Sequence, residues 1–154
     1  MTPTRPRLLA ALVVLSAAVG WGVVRLVDAY LDRSLPVPWT AALVMLVLAI
    51  ALALWARGTR ARLAGRPGTK PMDPMVAARS AALAMAASRT GAIVAGFYAG
   101  VTVGLLPGWG IAYVRERVIV SAVTVLTAAL VVAAALWLER VCRVPPDASD
   151  DPKP

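Results

Sequence analysis

Four almost uncharged apolar stretches, at about residues 8–27, 39–56, 90–106 and 118–138, constrain this chain more than any other feature. Each is close to the ~20 residues that an α-helix needs to cross a hydrocarbon core about 30 Å thick. The connectors between them hold nearly all the charge, the pattern expected when a bilayer is the solvent. Composition agrees: 60% of the residues are hydrophobic and mean hydropathy is +0.75, whereas soluble domains sit near 45–50% apolar. The expected fold is all-α, a four-span transmembrane helical bundle forming one membrane domain over residues 1–143.

The first stretch follows Arg5 and Arg7 and could serve as a secretory signal or as a membrane span. Its length, its continuation through Val27 and the weakness of Ser16-Ala17-Ala18 as a cleavage site favour the span. Pro36 and Pro38 break the next connector ahead of Trp39. A third helix opens with Asp73 as N-cap and Pro74 at its first position, and nothing stops it before Pro107. At 1.5 Å per residue it would measure about 50 Å, longer than the bilayer core. Its alanine-dominated first half, MVAARSAALAMAAS, is therefore expected to extend into the cytoplasm, with residues 90–106 in lipid. Residues 144–154, rich in proline and acid, are expected to be a disordered tail.

Orientation follows from the basic residues, which are retained on the cytoplasmic side. The loop RGTRARLAGRPGTK carries Arg57, Arg60, Arg62, Arg66 and Lys70 without an acid, and Arg5, Arg7, Arg79, Arg89, Arg140 and Arg143 fall on the same side. Arg25, Arg33, Arg115 and Arg117 remain opposite. Both termini are thus expected in the cytoplasm of a bacterium whose plasma membrane holds the protein. The net charge of +8 is accounted for by this topology and by an anionic bilayer surface, to which each basic side chain can add about 1 kcal/mol. Arg57, Arg60, Arg62, Arg66, Arg79 and Arg89 are the candidate anion or lipid contacts. Nucleic acid is not an expected partner, because the basic stretch has no interleaved aromatics.

Within the third span GFYAGVTVG places Gly96, Gly100 and Gly104 four apart. Helices in lipid gain little from burying apolar surface against each other, so they associate by close backbone approach at small residues. The fourth span offers Ser121, Thr124 and Ala128 at similar spacing, and the third is expected to pack on it there. Arg89, seven residues before Gly96, falls within about 20° of it on a helical wheel and so belongs to the same face. It could pair with Glu139 or with lipid phosphate. Arg25 and Asp28 form a helical-neighbour pair at the other end.

The inventory narrows the chemistry. There is no histidine, the single cysteine is Cys142, and none of the four spans contains Asp or Glu. Zinc sites of the usual kind, disulfides, Cys/His nucleophiles and the membrane carboxylate of a proton-coupled carrier are unsupported. No paired-carboxylate site or phosphate-binding glycine loop is present, so the protein is expected to be no enzyme and to need no metal or cofactor.

TRPRLL at the start, the basic loop followed by MDPMVAAR, then GAIVAGFYAG and a final LERVCRVP together resemble an uncharacterised actinobacterial membrane family, the domain of unknown function numbered three-one-eight-zero. The resemblance runs to Pro145 and implies a small four-span membrane protein, with no catalytic residue to transfer. Two functions are expected from these readings. The first is a non-enzymatic accessory or scaffold that packs against a membrane partner or itself through the third helix. The alternative is a small oligomeric transporter or channel subunit in which Arg89 attracts an anionic solute.

Overall fold

The computed structural model describes residues 6–30, 38–63 and 74–141. They form four α-helices: α1 (Pro6–Tyr30), α2 (Trp39–Leu63), α3 (Pro74–Leu105) and α4 (Ala112–Val141). A 3-10 turn, Leu106–Gly108, joins α3 to α4. Each helix contains an apolar segment long enough to cross a membrane: Arg7–Tyr30, Trp39–Arg60, Arg79–Gly108 and Ala112–Val141. Pro6 and Pro74 stand at first helical positions, where the missing N–H costs nothing. Mid-helix glycines and β-branched residues, unfavourable in water, are tolerated because in lipid the helix is the only way to satisfy the backbone.

α3 ends where Pro107 removes an N–H donor and its ring opposes further helix. The chain reverses tightly: Trp109 N–H donates to the Leu106 carbonyl at 3.1 Å and Ile111 N–H to that of Gly108 at 3.0 Å. The first turn of α4 then forms as Val114 and Arg115 both donate to the Ile111 carbonyl at 3.0 Å.

The four spans stand in a row, in the order α1, α3, α4, α2. Among the described residues no α-carbon of α1 comes within 8 Å of α2 or α4, and none of α2 within 8 Å of α3. Burial follows position: α4 carries a dozen buried residues, whereas α1 buries only Gly20 and Val24. α1 and α3 run parallel, since Val13 and Ser16 meet Gly96, Ala17 meets Gly100 and Val24 meets Gly104.

The starts of α1 and α3 and the ends of α2 and α4 share one end of the row, called here the basic end. At that end lies a second centre of packing. Ala49, Leu52 and Ala56 of α2, Ala84 of α3, and Val131, Ala134, Ala135 and Leu138 of α4 form one buried cluster. One face of the alanine-rich first half of α3 is thus covered, with Ser80, Ala84 and Ser88 at most 4% exposed, while Met75 and Leu83 on other faces are exposed. α2 remains helical to Leu63, beyond the apolar stretch that ends at residue 56. Asp73, Arg66, Lys70, Cys142, Arg143 and the 144–154 tail lie outside the described residues.

Candidate functional site

α3 has two faces of small residues, and each takes a different neighbour. On the first, Gly96, Gly100 and Gly104 receive α1. A Cβ placed on Gly100 would strike the Ala17 carbonyl oxygen and lie 2.8 Å from the Trp21 nitrogen. One on Gly96 would strike the Ser16 hydroxyl and the Val13 carbonyl, and one on Gly104 would lie 3.0 Å from Val24 Cβ. α1 reciprocates with its own glycine, Gly20, whose Cβ would collide with the Phe97 carbonyl oxygen. The backbones touch, as small-residue seams in lipid require.

The second face lies roughly 120–140° around α3 from Gly96 on the helical wheel. There Gly91 packs under Val131, Val132 and the Ala128 carbonyl oxygen. One and a half turns from the end of α3's membrane span, Thr102 Oγ1–H donates to Ser121 Oγ at 2.8 Å and is also 2.7 Å from the Tyr98 carbonyl oxygen. Ser121, Thr124 and Ala128 are fully buried. The expected α3–α4 contact therefore forms, but the glycine stripe is not part of it: Gly96, Gly100 and Gly104 meet α1 instead. Two small-residue stripes, on α1 and α4, were available, and α3 uses both by presenting two faces. The missed partner had a signal in the sequence, Ser16, Ala17 and Gly20, the first two read only as a weak cleavage site.

The charged residues divide by end. Arg89 is exposed, although it shares the wheel position of the glycines. Seven residues before Gly96 is about 10 Å lower, opposite the first turn of α1, where the covering helix runs out. Glu139, by contrast, is 7% exposed. The register set by Thr102 on Ser121 and by Gly91 under Val131 puts Glu139 about six residues, or about 9 Å, along α3 from Arg89. Arg57, Arg60, Arg79 and Arg140 are exposed at the basic end; Arg62 lies in α2 with its side chain outside the described residues. At the opposite end the Arg25 guanidinium lies over Trp21, 5.3 Å from the ring centroid, rather than against Asp28. Arg117 lies likewise over Tyr113 at 5.1 Å. Both place a cation on an aromatic face, an arrangement worth about 0.5–1 kcal/mol when exposed.

Buried hydroxyls are committed locally. Ser88, Thr124 and Thr127 donate to carbonyls one turn back on their own helices, as does Ser80, to which Trp55 Nε1–H donates at 3.4 Å. Among the described residues, no buried side-chain nitrogen or oxygen lacks a partner, and no three His, Cys, Asp or Glu residues come together. What this arrangement offers is shape, a tight row with two unpaired edges, and a basic rim at one end. No curated protein and no solved structure matches the chain. Residues 9–146, almost the whole described fold, match one family, and the chain belongs to it: the protein of unknown function family DUF3180.

Proposed function

We propose that this is a non-enzymatic plasma-membrane protein of a bacterium that acts as an accessory or scaffold, packing sideways against another membrane protein or a second copy of itself. The basic end and both termini would face the cytoplasm, as the distribution of Lys and Arg favours. The observation that carries the reading is the open row. α3, the helix with the tightest faces, is filled by α1 on one side and α4 on the other, so a partner has the edge helices to meet and not the glycine stripe. On α1 the outward residues Val14, Leu15, Val19 and Leu26 are all exposed.

A solute pathway draws less support. It would need polar groups free to replace hydration, and the buried hydroxyls described above donate to their own helices. The experiment sets the readings against each other. Leu15→Cys on α1 and Val47→Cys on α2, in a Cys142→Ser background, are crosslinked in native membranes, and purified protein is assayed for anion flux in liposomes. A discrete adduct from one edge helix without flux is expected. Monomer at both edges, or flux that Arg89→Ala abolishes, would overturn the proposal.

A further inference from the structure

Beside the packed contact of α2 on α4 runs an open groove. Leu46, Ala49, Ile50 and Ala53 on one helix and Leu130, Ala133, Ala134 and Trp137 on the other line an apolar groove of about 350 Å³. Its walls span eight residues on each helix, so it is about 10 Å long. A flexible hydrocarbon chain fits an open apolar groove of that length and volume.

The groove also has a charged mouth. Arg57, Arg60 and Arg140 each stand seven residues beyond a lining residue, Ile50, Ala53 and Ala133 respectively. A spacing of seven returns to within about 20° of the same helical direction, two turns and about 10 Å further on. All three arginines are exposed. Apolar walls at bilayer depth, continued along the same stripes by three guanidiniums at the basic end, match a molecule that is hydrocarbon at one end and anionic at the other.

We propose that this groove holds one acyl chain of an anionic phospholipid, with its phosphate bound by Arg57 and Arg60 and with Arg140 facing the same headgroup. Guanidinium suits this role because its fork of N–H donors matches phosphate oxygens in pairs. The alanines Ala49, Ala53, Ala133 and Ala134 set the width, and Trp137 lies along the chain near the headgroup level. The inference goes beyond the scaffold reading and shares with it only the placing of the basic end at a membrane surface.

The test uses the full chain in symmetric phosphatidylcholine vesicles containing a minor fraction of phosphatidylglycerol, with bromine on the acyl chains of one lipid or the other. Quenching at Trp137 is the difference between the full chain and Trp137→Phe. Brominated phosphatidylglycerol is expected to quench it more than the same fraction of brominated phosphatidylcholine. At about 1 kcal/mol per surface arginine, Arg57→Gln with Arg60→Gln should lower that preference by up to about thirtyfold. Ala133→Phe, which fills the groove, should remove it. Arg5→Gln with Arg7→Gln, an equal charge loss at the opposite edge of the row, should leave it in place.

Equal quenching by both lipids would overturn the proposal, as would an equal effect of the two arginine pairs. Protection of Trp137 from both lipids, with a covalent dimer formed through Ala133→Cys, would also overturn it and would assign the groove to a second copy. Each of these failures leaves the edge-crosslinking result standing on its own.

Discussion

The α1–α3 seam and the α2–α4 seam are both built from small residues, yet one closes and the other leaves a groove. On α1–α3, Gly20, Gly96 and Gly100 bring backbone against backbone, and a single added Cβ collides with a carbonyl oxygen at each. On α2–α4 the small residues are alanines, Ala49, Ala53, Ala133 and Ala134, and with Leu46, Leu130 and Trp137 they line an open groove. The difference teaches that in lipid one methyl group separates two outcomes. Glycine permits contact through the backbone; alanine among large neighbours leaves room for a chain of the surrounding solvent.

That contrast can be broken most sharply at Gly100. Gly100→Leu puts a branched side chain into the Ala17 carbonyl and the Trp21 amide, and should cost at the upper end of the 1–3 kcal/mol typical of overpacking, or about 3 kcal/mol. Unfolding by SDS titration in mixed micelles should show a large loss of stability, and a protease should gain access to α1. An unchanged midpoint would mean that α1 does not lie on this stripe.

Gly20→Ala tests the same seam with one carbon. It should destabilise by about 1 kcal/mol or more, because the obstacle is the Phe97 backbone and cannot rotate away. Thr102→Val and Ser121→Ala probe the α3–α4 face, where the hydroxyl bond between them measures 2.8 Å. A double-mutant cycle should give a coupling of about 0.6 kcal/mol, the average for such bonds in membranes. Gly22→Ala, two residues along α1 from Gly20, meets nothing within 4 Å. It should be neutral or slightly stabilising, by up to about 0.5–1 kcal/mol, as glycine is the poorer helix former. If Gly20→Ala and Gly22→Ala gave equal midpoints, the proposed facing of α1 would be wrong.

The helices themselves were legible in the sequence because lipid leaves so few options. Apolar runs of spanning length must be helical, and Pro74 and Pro107 mark the bounds of α3. Less legible was which helix meets which. The glycines of α3 announce a close approach without naming the partner, and Ser16, Ala17 and Gly20 competed with Ser121, Thr124 and Ala128 for the role. Choosing required knowing that Gly91 and Thr102 make a second face, which only the assembled row reveals.

Cover over the first half of α3 was hidden for another reason. Its alanines read as mildly hydrophobic helix suited to the interface or the cytoplasm, but Ala84 is buried in one cluster with Ala49, Leu52 and Ala56 of α2 and Leu138 of α4. Arg57, Arg60 and Arg140 read as topology alone until Ile50, Ala53 and Ala133 were found two turns away on the walls of one groove.

The order of helices in the row is the claim on which the seams, the free edges and the groove all depend. It is tested most directly by the spin-label distance between Leu15→Cys on α1 and Val47→Cys on α2, in a Cys142→Ser background, both exposed positions near the middle of their helices. Three interhelical steps of 8–10 Å, bent at α3 where its two faces stand roughly 120–140° apart, predict a separation of about 20–30 Å. A distribution centred at about 10–15 Å would make α1 and α2 neighbours and contradict the row.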